Sequence, residues 1–171
     1  AQAKLRESQH NELIFYLAKL GMNSGFKVWI GSKEQGEQFE GLRLKDLSSK
    51  DLDVGNLTPH QISRLKDVDV IWHKKGSISY LFEVENTTSI TSALERGSNI
   101  PSNYKCKKII ILPNERKGFL IRKLNEPMFK DNFEKYSWSI TYYDEVINFY
   151  RLYKNKNISM NKIDAVIREG K

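Results

Sequence analysis

The sequence is poor in the residues that cross-link a chain or bind zinc. Its 171 residues include one cysteine, three histidines and four prolines. A single cysteine, Cys106, excludes an internal disulfide framework and any cysteine-based zinc site. The three histidines are scattered along the chain and lack the spacing of a metal-binding motif. The absence of disulfides favours a cytoplasmic, intracellular protein.

The sequence also lacks a long hydrophobic run, an internal repeat and a low-complexity tract. A transmembrane helix needs about 18 consecutive apolar residues, so we expect no membrane partner. The chain begins at Ala1 within a polar segment, without a Met or an apolar signal region, as expected of a domain cut from a longer protein. Its length predicts one domain over residues 1–171, with the possibility of further domains in a longer chain left open.

Positive charge is in excess. The chain has 28 lysines and arginines against 21 acidic residues, a formal net charge of +7. Such a charge favours a polyanionic partner such as nucleic acid. Many basic proteins bind no nucleic acid, so the charge by itself does not identify the partner.

Hydrophobic periodicity predicts alternating helices and strands. Helices are predicted at 7–20, 60–65, 87–96, 117–125 and 144–153. Strands are predicted at 26–30, 67–74, 78–85, 107–112 and 138–142. Residues 31–66 read as an insertion packed on the core, and residues 154–171 as a C-terminal tail. This order predicts an α/β fold with a mixed sheet and helices on both faces.

The strands at 67–74 and 78–85 form a predicted hairpin that contains acidic residues at apolar positions. Glu83 and Glu85 point to the same face because side chains alternate along a strand. A tight hairpin brings Asp69 beside them. Three carboxylates on one face repel each other unless a cation lies between them, and a hard divalent cation with oxygen ligands fits that need.

This arrangement suits hydrolysis of a phosphodiester bond. Mg²⁺, with Mn²⁺ as a substitute, neutralises charge on phosphate and activates water, and it binds one or two carboxylates. Asp69 and Glu83 are the candidate ligands, and the backbone carbonyl of Val84 can add an oxygen. Glu85 can orient or deprotonate the attacking water, or help to hold a second ion.

The spacing of Asp69 and Glu83-Val84-Glu85 on paired strands resembles the PD-(D/E)XK nuclease superfamily. The flanking elements are also similar to the α-β-β-β-α-β core of this restriction-endonuclease-like fold, over roughly residues 7–153. The sequence departs from the motif in having Val68 where a proline is usual and Glu85 where a lysine is usual. An E-x-E version of the motif occurs in some restriction endonucleases.

The resemblance implies a Mg²⁺-dependent DNA endonuclease domain of the restriction type. Asp69 would be the first metal ligand and Glu83 the second acid, while Glu85 would occupy the usual lysine position. An acid on the first helix often joins the metal site in this family, which makes Glu12 a candidate. Such domains commonly pair as homodimers so that two sites cut two strands.

Asp67 competes with Asp69 for the first acidic position, since both lie on the same strand face. We favour Asp69 because Val68 and Val70 enclose it, whereas Asp67 lies beside Lys66 at the polar entry of the strand.

Several polar residues are candidates for DNA contacts, each with a purely structural alternative. Thr87, Ser89, Arg96, Asn99, Arg116 and Lys117 are these candidates. The hydroxyls can bind phosphate or cap a helix, and Arg96 and Asn99 can contact phosphate, pair with Glu95 or cap a helix end. Arg116 and Lys117 can follow a DNA backbone or form a solvated face. Lys107 and Lys108 could supply a cation beside the acids, or begin a solvated strand.

Two other functions remain open. The first is a DNA-binding or assembly module that keeps the fold but does not cut, which Glu85 at the lysine position favours. The second is a non-nuclease α/β protein whose acids bind a structural cation.

Overall fold

The computed structural model describes residues 1–85 and 90–169. The helices of these residues are α1 (Gln2–Asn23), α2 (Pro59–Leu65), α3 (Ile90–Gly97), α4 (Lys117–Leu124), α5 (Pro127–Lys135), α6 (Tyr143–Tyr153) and α7 (Met160–Asp164). The strands are β1 (Lys27–Ile30), β2 (Gln38–Phe39), β3 (Leu42–Arg43), β4 (Val70–Lys74), β5 (Ser77–Val84), β6 (Lys107–Leu112), β7 (Trp138–Tyr142) and β8 (Arg168–Glu169). None of the helices in this part of the chain is long and apolar enough to cross a membrane.

Six strands form one mixed sheet in the order β1-β4-β5-β6-β7-β8, and β2 pairs separately with β3. The strands β5, β6 and β7 run parallel, and the outer pairings are antiparallel. Parallel neighbours need crossover connections, which α3 and the α4–α5 pair occupy. The predicted α/β class is confirmed, and the architecture is compatible with a restriction-endonuclease-like fold.

The sheet is buried on both faces. Trp72 and Phe82 belong to a cluster that includes apolar residues of α1 and α6. Ile71 and Leu81 belong to a second cluster, formed with residues of α2 to α5. This double coverage explains the continuous apolar run of β6, because a strand covered on both faces needs no polar alternation.

The acidic hairpin forms as the sequence predicts. Lys75 and Gly76 turn the chain with φ values of +52° and +75°, the combination typical of a two-residue hairpin turn. Val70 pairs with Phe82, so Asp69 and Glu83 lie next along the two strands at the same end of the hairpin.

The segment from 31 to 66 packs on the sheet through Leu44, Leu52 and Leu65, which are buried. Its helix α2 begins with a capping box in which Thr58 and Gln61 exchange hydrogen bonds.

Helix α5 was not predicted from the sequence. Pro127 follows the helix predicted at 117–125 and occupies the first turn of α5, where the missing N–H costs nothing. Phe129 and Phe133, one turn apart on α5, are both buried. Near the C-terminus, Ile158 and Ile163 pack into the cluster beside α1 and α6.

Candidate active site

A cavity of about 480 Å³ opens at the end of the acidic hairpin. Its walls come from α1, from residues 33–37 after β1, from the start of β4, from the end of β5 and from α3. The antiparallel pairing of β1 with β4 ends at Ile30 and Val70, so the segment after β1 meets the residue before β4. Asp69, Val84 and Glu85 all line the cavity.

Asp69 is held at the base of the cavity. Its side chain is buried, and its Oδ2 accepts a hydrogen bond of 2.7 Å from the Val84 N–H across the hairpin. His10 on α1 places its Nε2 3.5 Å from the same oxygen. The carboxylate is therefore fixed by its neighbouring strand and approached by a helix from another layer.

Glu83 is fully buried, with no exposed surface, and is paired with Arg96 on α3. The guanidinium donates two hydrogen bonds, of 2.9 Å from Nε and 2.6 Å from Nη2, one to each carboxylate oxygen. Burial and the charge of Asp69 raise the pKa of Glu83, while Arg96 opposes that rise. The same Nη2 lies 3.6 Å from Glu85 Oε1, so Arg96 links the two glutamates of the motif.

Glu85 is nearly buried and points into the cavity. Burial and the neighbouring Asp69 carboxylate raise the pKa of Glu85 to about 8, although Arg96 and His10 lower it. A carboxyl group with such a pKa can hold or release a proton near neutral pH, as a group that handles the proton of a water molecule must.

Two further residues, His10 and Glu34, join Asp69. One potential ligand atom from each of these three residues lies within 4.8 Å of the others. Burial and the Asp69 charge raise the pKa of Glu34 to about 7. Burial opposes protonation of His10, but the hydrogen bond to Asp69 and the surrounding carboxylates outweigh it and raise the pKa of His10.

The donor atoms fit a divalent cation. Two buried oxygens of the cavity wall, Asn11 Oδ1 and Glu34 Oε2, have no hydrogen-bond partner within the described ranges. Buried polar atoms are normally satisfied, so these oxygens indicate a missing partner. Carboxylates suit Mg²⁺, and a histidine nitrogen suits first-row transition metals as well.

Sequence reasoning missed both additional residues, although His10 has a local signal. His10 precedes Leu13 by three residues and Leu17 by seven, so it lies on the stripe that packs against the sheet. The scattered histidines were not expected to bind metal because the partners of His10 are distant in sequence. Glu34 follows the strand that pairs with β4, but the topology needed to see this was not predicted.

The remaining predicted acids lie elsewhere. Glu12 is outside the cavity wall and hydrogen-bonds Tyr16, one turn along α1. Glu12 lies two positions after His10, a rotation of about 200°, which places the two side chains on opposite faces of the helix. Asp67 is exposed and does not line the cavity, in contrast to Asp69.

The candidate DNA-contacting residues lie in different environments. Arg96 reaches the cavity, but Asn99 caps α3 by donating to the carbonyls of Glu95 (3.2 Å) and Arg96 (3.1 Å). Arg116 packs over the Phe119 ring at 4.1 Å, and Lys117 is exposed. Thr87 and Ser89 lie outside the described residues.

Lys107 and Lys108 were considered as a cation beside the acids, and they are not there. They pair with Tyr80 and Leu81 in the middle of β5, and their ammonium groups have other partners. Lys107 pairs with Asp164, and Lys108 donates to the Tyr136 carbonyl. The cation that contacts the acids of the motif is Arg96.

A mixed sheet flanked by helices, with acids gathered at the end of its hairpin, is compatible with a restriction-endonuclease-like fold. The chain belongs to the family described as the C-terminal domain of the type II restriction enzyme NmeDI, whose model matches residues 2–168.

Among curated proteins, the chain is similar to the type II restriction enzyme NmeDI of Neisseria meningitidis serogroup C. The two are 24% identical over 133 residues, which cover 72% of this chain and 38% of that enzyme. The chain thus spans about two fifths of the length of this relative. No solved structure matches the chain significantly.

Proposed function

We propose that this chain is a metal-dependent endonuclease domain that hydrolyses DNA phosphodiester bonds, in the setting of restriction inside the cell. The observation that carries the proposal is the convergence of Asp69, Glu85, Glu34 and His10 on one open cavity beside Arg96. Membership of a restriction-enzyme family supports DNA as the partner.

In the proposed site, Asp69, Glu34 and His10 hold Mg²⁺ or Mn²⁺, and the Val84 carbonyl can add an oxygen. The cation would polarise a phosphate oxygen and make a bound water more acidic. Glu85 accepts a proton from the attacking water. To do so Glu85 must first lose its own proton, which a bound cation nearby favours.

Arg96 supplies the positive charge that the motif lacks at position 85. Its guanidinium lines the cavity and can stabilise negative charge on the phosphate. Glu83 was expected to bind metal, but both of its oxygens bind Arg96. We assign Glu83 as a positioning residue that holds Arg96; it can contribute a metal ligand only if this pair opens.

The same ion pair supports a second candidate function, a DNA-binding or assembly module that does not cut. If the Glu83–Arg96 pair never opens and the site needs a Glu83 oxygen on the metal, the fold would hold DNA without hydrolysing it. A plasmid assay separates the two functions.

The assay incubates the 171-residue chain with supercoiled plasmid and Mg²⁺ or Mn²⁺, beside Asp69→Asn, Glu85→Gln and the control Glu95→Gln. Glu95 is exposed on α3 and lies outside the cavity wall. We expect cleavage by the wild type and the control, and a loss of at least about a hundredfold in the two site variants.

Plasmid binding without cleavage by the wild type would favour the non-cutting module. Cleavage that survives both site substitutions would show that the site lies elsewhere. Metal titration followed by calorimetry gives a second readout, since Asp69→Asn should weaken cation binding whether or not the chain cuts DNA. Pairing into a homodimer stays a prediction, which light scattering of the chain with and without DNA tests.

A further inference from the structure

A second cavity, of about 400 Å³, lies at the other end of the central strands. It is lined by residues near the beginnings of β5 and β6 and by the residues just before β7. Tyr80 in its wall and Glu85 in the acidic cavity are five residues apart on one extended chain, which corresponds to roughly 16 Å. The two cavities are therefore separate sites.

The lining of this second cavity carries lysines and, among the described residues, no acid. Lys105, Lys107 and Lys108 line it. Lys107 is neutralised by Asp164, whose Oδ1 lies 2.6 Å from its Nζ. Lys105 is exposed at the rim and Lys108 is buried within, and neither takes part in a salt bridge in the described part of the chain.

Lys108 is a buried cation without a counterion. Its side chain is only 2% exposed, and its Nζ donates a single hydrogen bond of 3.4 Å, to the Tyr136 carbonyl. Burial lowers the pKa of Lys108. An ammonium group has three donors, and burying one without an anion is unfavourable. A bound anion in the cavity would satisfy it.

Two half-buried tyrosine rings give the cavity an aromatic wall. Tyr104 is fixed because its hydroxyl accepts a hydrogen bond of 3.2 Å from the Ile78 N–H. Tyr136 lies beside Lys108, with the Nζ 5.6 Å from the ring centre. Such rings stack on nucleic-acid bases, and the volume is that of a small-molecule site.

We propose that this cavity binds a nucleoside 5′-phosphate, with the phosphate on Lys108 and Lys105 and the base against Tyr104 or Tyr136. The same chemistry is offered by a free mononucleotide and by the 5′-phosphorylated end of a DNA strand. The proposal does not depend on the nuclease function, since the cavity shares no residue with the acidic site.

Calorimetry of the 171-residue chain with thymidine 5′-monophosphate in EDTA tests the proposal. EDTA removes divalent cations, so no metal ion can hold phosphate at the acidic cavity. We expect saturable binding that Lys108→Met weakens by roughly 10- to 100-fold. Lys130→Met is the matched control, because Lys130 is exposed on α5 and lies outside this cavity.

Lys105→Met is a second test in case Lys108→Met disturbs the fold. Lys105 is exposed, so its substitution leaves the core intact. We expect it to weaken binding severalfold, while Asp69→Asn leaves the affinity unchanged. Absence of saturable binding at millimolar nucleotide, or equal affinity in Lys108→Met, would overturn the proposal. Equal affinity for inorganic phosphate would overturn the part assigned to the tyrosines.

Competition with a 5′-phosphorylated oligothymidylate of eight nucleotides distinguishes a free mononucleotide from a DNA strand end as the ligand. Competition with the mononucleotide supports a strand end as the ligand, and absence of competition supports a free nucleotide. Unphosphorylated thymidine should not bind in either case, because the lysines are the main attraction.

Discussion

At the scale of single residues, the site depends on carboxylates kept in an unfavourable environment. Glu34 and Glu85 both have raised pKa values because burial and the nearby Asp69 disfavour their charged forms. A bound cation would offset this unfavourable environment, because its charge stabilises the ionised carboxylates. The cost should appear as reduced stability when the cation is absent.

Glu85→Gln should stabilise the metal-free protein at alkaline pH. The pKa of Glu85 is raised to about 8 in the folded state, so the folded protein holds a proton that the unfolded chain has released. Wild-type stability therefore falls as the pH rises from about 4.5 to 8, by up to about 5 kcal/mol for a shift of this size. Glutamine does not ionise and avoids this loss.

Urea unfolding in EDTA at pH 5.5 and pH 8.5 measures the effect. The stability difference between Glu85→Gln and wild type should be small at the lower pH and grow at the higher one. Glu95→Gln, at an exposed position, should show no such growth. An equal effect at both pH values would contradict the raised pKa.

Arg96→Met should destabilise the protein strongly. Glu83 is fully buried and bound through both oxygens, so removing the guanidinium leaves a buried carboxylate without its partner. Breaking such a pair typically costs about 3–5 kcal/mol. Urea unfolding of Arg96→Met, Glu83→Leu and the double variant measures the coupling.

The double variant should recover part of the stability lost by Arg96→Met, because an apolar pair leaves no buried charge. Strictly additive losses would show that the two side chains are not coupled.

At the scale of elements, the hairpin was predictable and its surroundings were not. Alternation along β5 was sufficient to place Glu83 and Glu85 on one face. A two-residue turn by itself would set Asp69 opposite Phe82, on the other face. A register shift between His73 and Trp72, where Trp72 pairs with Tyr80, moves the pairing by one residue and brings Asp69 opposite Glu83. The bounds of β6 and β7 also agree with the prediction, because β6 has a continuous apolar run and β7 alternates large apolar residues with small polar ones. Helix α5 was missed because a proline both ends one helix and begins the next.

Gly31→Ala should weaken cation binding and the fold together. A Cβ at Gly31 would collide with the Glu34 carboxylate and would lie 2.7 Å from the Val68 carbonyl oxygen. The backbone oxygen cannot move away freely, so we expect a destabilisation of about 1–3 kcal/mol.

Gly36→Ala is the matched control, because nothing lies within 4 Å of a Cβ at that position of the same segment. Thermal unfolding and calorimetric titration with Mn²⁺ measure the two effects. Unchanged Mn²⁺ affinity in Gly31→Ala would argue against Glu34 as a ligand.

At the scale of the whole molecule, the site is assembled where several elements meet. The cavity lies between α1, the segment after β1, the hairpin and α3, so it exists only in the folded chain. A ligand that binds only the folded state stabilises it in proportion to the logarithm of its concentration. Cation binding should therefore increase the stability of the whole folded chain.

Mn²⁺ should raise the melting temperature, and more so at higher pH. At about 100 times the dissociation constant, binding adds about 2.7 kcal/mol of stability. Glu34 and Glu85, with pKa values of about 7 and 8, must lose protons to face a cation, so the gain should increase between pH 6 and pH 9.

Thermal unfolding with and without Mn²⁺ across this range is the measurement. Asp69→Asn should abolish most of the gain, whereas Glu95→Gln should keep it. A gain independent of pH would mean that these carboxyl groups do not titrate as the cation binds.

The sequence by itself determined the α/β class and the common face of Glu83 and Glu85, because both follow from local periodicity and the order of elements. Only the tertiary structure decided that a register shift in the hairpin brings Asp69 opposite Glu83, that His10 and Glu34 join Asp69, and that Arg96 occupies both oxygens of Glu83. These neighbours are distant in sequence, and their meeting depends on how helices dock and strands pair, which no local pattern encodes.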